Sequence, residues 1–313
     1  MNVTALAGGI GAGKFLRGLV RAVGPAHVTA IVNTADDVQM HGLHVSPDLD
    51  SVTYWLGDVF DRERGWGRRG ETFRATGELA RFDPEVAWFN LGDLDLATHL
   101  FRTRLMGEGA SLSEVTERVA ARFGVLARVL PMSDDPVTTR VDVLVEGEEL
   151  DLHFQEYWVR RHAQDEVKQV RYAGVGSARP APGVLEALLD ADAIVICPSN
   201  PVASIGPILA VAGIRDALER RRDAVVGISG IVGGAPLAGM ADKLMPALGV
   251  EVTAAGAAAC YRGLLGAWVV DEADRGLVPR IEATGVRVGV TDTIMTDDGA
   301  AESLARFALE LVG

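Results

Sequence analysis

Short apolar runs of strand length recur along the chain, at Val3–Ala7, Val28–Val32, Val86–Leu91, Ala193–Cys197, Ala224–Ser229 and Val286–Val290. Between many of them apolar positions return at helical spacing, over Leu94–Met106, over Leu112–Phe123 behind the N-cap type residue Ser111, over Ile208–Arg221 and over Glu302–Val312. Strands alternating with helices predict a mostly parallel sheet flanked by helices, because parallel neighbours need a crossover connection. The predicted class is α/β. One stretch departs from this rhythm: Thr139–Val145 and Leu150–Trp158 flank the turn-like Glu146-Gly147-Glu148-Glu149, the pattern of a β-hairpin. It predicts a small inserted α+β subdomain over roughly residues 139–175 of a single 1–313 unit. The Gly- and Pro-rich stretch Gly174–Gly183 follows, but strands resume beyond it, so it marks no clean boundary.

Composition narrows the class of ligand. The 313 residues are 48% hydrophobic and include 36 glycines, enough for one large core or two coupled ones. A formal net charge of -13 opposes a long track of nucleic-acid phosphates, which needs dense Lys and Arg, so small ligands are expected. Cys197 and Cys260 are the two cysteines, far apart, which supports neither a disulfide framework nor a zinc spacing and fits a reducing cytosol. The N-terminal MNVTALAGG has no basic region before its apolar run and reads as a first strand, not a signal peptide. No later apolar run reaches membrane-spanning length, so no membrane partner is expected.

The candidate chemistry sits where strands end. Gly8-Gly9-Ile10-Gly11-Ala12-Gly13-Lys14 follows the first strand and opens a helix, where backbone N–H groups and the helix dipole favour phosphate. Phe15 stands where a P-loop needs a hydroxyl, and Lys14 where the dinucleotide fingerprint needs its third glycine, so neither motif is complete. Asn33-Thr34-Ala35-Asp36-Asp37 puts two carboxylates at the end of the second strand, and Pro47-Asp48-Leu49-Asp50 adds two more before a helical run. Such carboxylates suit Mg²⁺, which takes one or two of them together with phosphate oxygens. The plainer alternative is that Asp48 or Asp50 caps a helix and Asp36 and Asp37 face solvent. Asn90-Leu91-Gly92-Asp93-Leu94-Asp95 reads as a third strand end with Asp93 at the site, and His99 as a packed residue more than a base. The Pro131–Thr139 loop either binds ligand hydroxyls or holds the hairpin in place. Cys197-Pro198-Ser199-Asn200-Pro201, with Ser204 beyond it, ends another strand and offers amides and side chains to a nucleotide.

Taken in order, the blocks GGIGAGKF, NTADD, HGLHVSPDLDSVTYWLGD, LGDLDLATHLFRT, PMSDDPVTTRV, LHFQEYWV, CPSNPVASIGPIL, GMADKLMPALGVEV and TDTIMTD resemble the CofD/FbiA family, the 2-phospho-L-lactate or phosphoenolpyruvate transferases of coenzyme F420 biosynthesis. The resemblance spans almost the whole chain. It implies a Rossmann-like core with an inserted subdomain, as a homodimer, that binds a guanosine-diphospho donor and the deazaflavin alcohol Fo. The ribityl hydroxyl of Fo would attack the phosphorus that bears the small acid, and GMP would leave. On this reading Mg²⁺ is held by Asp50 and one of Asp36 or Asp37, and a nearby carboxylate takes the hydroxyl proton. Gly8, Gly9, Gly11 and Lys14 would hold phosphates, beside Asn33. Ser199, Asn200 and Ser204 would touch the nucleotide, and Asp50, Asn90 and Asp93 would face Fo. One block departs from the family pattern, which often carries a basic residue before the Leu and after the Asp of LGD. Here those positions are Asn90 and Leu94, which leaves 2-phospholactate, phosphoenolpyruvate and a phosphoglycerate all open as the donor acid.

Two other readings compete. The chain also resembles the YvcK-like group of nucleotide-sugar-binding regulators, for which no transfer to Fo is expected. A P-loop kinase or NTPase is the second, weakened by Phe15.

Overall fold

The computed structural model describes residues 1–313, apart from the side chain of Val86. Strands β1 (Val3–Ala7) and β2 (Val28–Val32) are followed by a small hairpin, β3 (Val38–Met40) and β4 (Leu43–Val45). After β5 (Arg128–Pro131) come β6 (Thr138–Val145), β7 (Glu148–His153) and β8 (Glu166–Ala173), then β9 (Ala193–Ile196) and β10 (Val225–Ile228). A short hairpin, β11 (Ile231–Val232) and β12 (Ala235–Pro236), precedes β13 (Ala267–Val270) and β14 (Arg287–Val290). Seven of these strands form one parallel sheet in the order β14-β13-β10-β9-β1-β2-β5, while β7-β6-β8 form a separate antiparallel sheet.

The central parallel strands are mostly apolar because both faces of the sheet are covered, while the edge strands β5 and β14 begin with the exposed Arg128 and Arg287. Along β1, Val3, Ala5 and Ala7 enter the core on one face with α1 (Gly9–Val23) and the C-terminal helix Asp298–Glu310, through Phe15, Leu16, Leu19, Ala301 and Leu304. Leu6 enters the core on the other face, which also takes in Val141, Val143 and Leu152 from the antiparallel sheet and Tyr157 from the helical turn after β7. That sheet therefore shares the buried interior of the main one. Gly18 lets α1 and the C-terminal helix touch, since a Cβ there would lie within 2.5 Å of the Glu302 backbone nitrogen.

Further helices are α2 (Pro47–Leu56), α3 (Arg74–Phe82), α4 (Asp93–Gly107) and α5 (Leu112–Arg122), the last closed at its start by a Ser111–Glu114 capping box. Three sequence expectations need correction. The second arm of the hairpin, expected over Leu150–Trp158, ends at His153 and passes into a helical turn, Glu156–Arg160. Val86–Leu91 is not a strand: a single 3₁₀ turn, Pro84–Val86, is set by the Asp83 carboxylate accepting from the Glu85 N–H at 3.1 Å, and the chain then turns irregularly. Of its apolar residues, Leu91 is buried and Trp88 and Phe89 are half-buried in one local cluster with Met40 and Val45 of the β3–β4 hairpin, so they need no sheet. Ile208–Arg221 is not one helix either. Gly213 takes φ +84° and splits it into Gly206–Ala210 and Ile214–Arg220, which meet at 90°. No single helix among the described residues is long and apolar enough to cross a membrane.

Candidate active site

From β1 the chain moves one way through β2 and β5 and later the other way through β9, β10, β13 and β14, so the strand order reverses between β1 and β9. Loops leaving the carboxyl ends of two strands that diverge in this way open a crevice, the usual ligand position in such sheets. The loop after β1 is the glycine turn. Gly8 is the extended N-cap of α1 and Gly9 follows at φ +73°. A Cβ on Gly8 would lie 2.6 Å from both Asp48 Oδ2 and Ser204 Cβ, and one on Gly11 would lie 2.6 Å from the Pro198 carbonyl oxygen. These glycines are thus required by the meeting of three loops, and α1 begins with no side-chain cap on its N-cap Gly8, its Gly9 N–H facing the Asp48 carboxylate. Lys14, one turn along α1, is half-buried.

The acids gather beside this turn. Asn33, fully buried at the end of β2, donates its side-chain amide to Asp48 Oδ2 at 2.9 Å, to Asp36 Oδ1 at 3.4 Å and to the Ala203 carbonyl at 3.3 Å. Its Oδ1 accepts from the Ala35 N–H at 2.9 Å, so its polar atoms are spent within the protein and it organises the acids more than it offers itself to a nucleotide. Asp36 also accepts from Gln155 Nε2 at 3.0 Å. Burial, then the charges of Asp48 and Asp37, push the Asp36 carboxyl well above the usual range. Burial raises Asp48 to about 7, against the opposing hydrogen bond from Asn33, with the Asp37 charge adding to the rise. Asp37 is also raised by burial, in spite of His44 Nε2 at 2.8 Å and Ser46 Oγ at 2.8 Å on its Oδ2, and its Oδ1 is buried without a partner.

Asp50 lies two residues further along α2 in a different environment. Both its oxygens are taken by the buried guanidinium of Arg102 on α4, Nη1 at 3.0 Å and Nη2 in closer contact. Arg102 also reaches the His44 carbonyl at 3.4 Å, and His99 lies between Asp50 (3.6 Å) and Asp95 (3.7 Å), where Tyr54 donates to Asp95 at 2.5 Å. The PDLD and LATHLFRT segments therefore interlock as a buried charge network that ties α2 to α4 and to the β3–β4 hairpin. Among the described residues no three or more His, Cys, Asp or Glu side chains come together as a metal-holding group. Asp36 and Asp48 are bridged by one amide, that of Asn33.

The remaining expected residues divide. Ser199 Oγ is buried with no partner beside the glycine turn, and Ser204 packs on Gly8. Asn200 instead caps the turn Pro201–Ile205, accepting from the Val202 and Ala203 N–H groups at 2.9 and 3.1 Å. Asp93 is not at a strand end. It caps α3, accepting from the Arg74 and Ala75 N–H groups at 3.2 and 3.0 Å and from the Thr72 hydroxyl, while Glu71 accepts from the Leu94 and Asp95 N–H groups at the start of α4. Asn90 is exposed in the irregular segment before it. In the Pro131–Thr139 loop, Ser133 donates to the Arg179 carbonyl, Asp134 accepts from Ser113 and Asp135 accepts from the Arg179 N–H, which resolves that loop as a brace. Burial pushes the Cys197 thiol up, as for an inert core residue.

Residues 3–300 match the family described as 2-phospho-L-lactate transferase CofD. The chain belongs to the CofD family. Among its relatives, a phosphoenolpyruvate transferase from Streptomyces griseus is 51% identical over 99% of this chain and 98% of its own length. One so named from Kitasatospora aureofaciens is 49% identical over 99% and 98%, and one from Mycobacterium bovis 41% identical over 100% and 99%. The crystal structure of protein BH3568 from Bacillus halodurans superposes with a TM-score of 0.63, covering 98% of this chain and 99% of that one at 19% identity, which bears on the fold. Membership makes this chain a transferase, and it makes the cluster at the switch point of this CofD fold the place to look for the transfer. Sequence reasoning left Asp48 out of the final metal pair and passed over Gln155, His44 and Arg102. Only Asp48 had a signal, as one of four strand-end acids. The other three are 119, 7 and 52 positions from the acids they hold, and Gln155 and Arg102 come from other elements.

Proposed function

We propose that the protein moves an enolpyruvyl phosphate group from a guanosine-diphospho donor to the hydroxyl of the deazaflavin Fo, releasing GMP, in the assembly of coenzyme F420. The observation that carries this reading is the 51% identity, over nearly the full length of both chains, with a protein named phosphoenolpyruvate transferase. Among the three acids left open by the motifs, the relatives' names favour the enolpyruvyl one.

The glycine turn supplies N–H groups to the donor's phosphates, with Lys14 and the Ser199 hydroxyl beside them. Asp36 and Asp48 fit a magnesium ion, since both are buried, the Asp48 charge helps to raise Asp36, and neither has a cation of its own. When bound, Mg²⁺ would offset the diphosphate charge as GMP departs. Asp48 takes the place first given to Asp50, whose oxygens are held by Arg102. Asp37, with Oδ1 unpartnered and its other oxygen fixed by His44 and Ser46, is our choice for receiving the hydroxyl proton of Fo. The same reading carries a homodimer at work in the cytosol.

Incubating the purified protein with Mg²⁺, Fo and synthetic guanosine-diphospho donors bearing each of the three acids tests it directly. The expected result is a phosphodiester of Fo and GMP, fastest with the enolpyruvyl donor. No product with any donor, together with tight binding of a nucleotide sugar, would replace the transferase reading by a regulatory one.

A further inference from the structure

The antiparallel sheet does more than cover one face of the core. At the end of β7, Leu152 and Phe154 are buried in the main core, while His153, the last residue of the strand, and Gln155, in the helical turn that follows it, turn to the acids. His153 Nε2 donates to the Asp37 carbonyl at 3.1 Å. The Gln155 backbone N–H donates to His153 Nδ1 at 3.0 Å, which makes Nδ1 the acceptor and leaves the proton on Nε2. The Gln155 side chain, 5% exposed, donates to Asp36 Oδ2 at 3.0 Å. Asn33 reaches the other oxygen, Oδ1, only at 3.4 Å. Asp36 is therefore gripped firmly by one oxygen from the turn that leaves β7 and weakly by the other from the residue that follows β2. The better-held oxygen sets the carboxylate plane, and the weakly held Oδ1 is the one turned to Asp48 through their shared amide.

We infer that Gln155 is a positioning residue for Asp36: it fixes the carboxylate so that Oδ1 faces a divalent cation shared with Asp48, and the inserted sheet is thereby a working part of the site. The inference rests on the reading of Asp36 and Asp48 as the cation pair. Amide and carboxylate partners of metal ligands act in this way by fixing ligand orientation, and their loss typically weakens metal binding by about 10–100-fold.

The test is Mg²⁺ binding by full-length protein, free of substrates, followed by calorimetry and by the rise in Tm on adding Mg²⁺. Wild type is compared with Gln155→Met, which keeps length and packing but has no donor, with Gln155→Ala, and with Asp36→Asn. Both Gln155 variants are expected to bind Mg²⁺ at least about 10-fold more weakly, with kcat for the transfer recovered at saturating Mg²⁺. Unchanged Mg²⁺ affinity in both, alongside its loss in Asp36→Asn, would overturn the role of Gln155 and leave the cation pair standing. Unchanged affinity in Asp36→Asn would overturn the cation pair itself. Loss of the fold in both Gln155 variants would also sink the inference, because it would make Gln155 a residue of the core and not of the site.

Discussion

Replacing Asp48 with asparagine should stabilise the metal-free protein at pH 8 and abolish its response to magnesium. The substituted side chain keeps an acceptor for the Asn33 amide, which donates to Asp48 Oδ2 at 2.9 Å, and removes one of the buried charges. Lifting the Asp48 carboxyl from its ordinary 3.8 to about 7 corresponds, at about 1.4 kcal/mol per pH unit, to about 4 kcal/mol at most. The sign follows from proton counting. Between 3.8 and about 7 the folded chain holds a proton on Asp48 that the unfolded chain has released, so stability falls as pH rises through that window and the full penalty is present above it. Asparagine mimics the protonated form, so its advantage should be largest at pH 8 and vanish near pH 4. Urea denaturation of metal-free wild type and Asp48→Asn at a series of pH values gives the difference directly. In wild type, Mg²⁺ at about 100 times its Kd should return about 2.7 kcal/mol, and in the variant almost nothing. A variant that is less stable than wild type at pH 8, or equally favoured at pH 4 and pH 8, would refute the buried-charge argument.

Arg102→Met leaves Asp50 buried without its partner and should cost about 3–5 kcal/mol in urea denaturation. The double variant Arg102→Met with Asp50→Leu should recover most of that loss, and equal instability of the single and double variants would show that the pair is not the unit. Gly8→Ala places a Cβ 2.6 Å from Asp48 Oδ2 and should destabilise by about 1–3 kcal/mol while abolishing transfer; a variant with wild-type Tm and turnover would show that the loops separate there without cost. Asp93→Ala removes the cap from α3 and should lower Tm slightly with no change in the KM for Fo, whereas a large rise in that KM would return Asp93 to the acceptor site.

Much of the parallel sheet was legible because buried strands such as β1, β2, β9 and β10 read as apolar runs, whereas the four-residue β5 and β13 went unread. Gly8, Gly9 and Gly11 were legible for a related reason, since a strand that runs into a glycine turn and a helix is a local pattern. The Val86–Leu91 run is the instructive exception. Its apolar residues satisfy themselves against Met40 and Val45, and the strand-like composition of a segment cannot say which surface will cover it.

Which carboxylates belong together was decided only by the tertiary structure. Asp48 and Asp50 stand two positions apart at the head of one helix, alike in type and burial, and local sequence treats them alike. In the fold, helical geometry turns them to different neighbours, Asp48 to Asn33 at the end of β2 and Asp50 to Arg102 on α4, so that one joins a pair of charges without a cation and the other is neutralised. Gln155 reaches Asp36 across 119 residues, a meeting set by how the antiparallel sheet docks on the parallel one. The chain's periodicity and turn residues determined the elements and the edge of the sheet at which ligands bind, because those follow from local sterics and burial. The partners of each acid followed from long-range packing, because a charge takes its role from whatever the fold sets beside it.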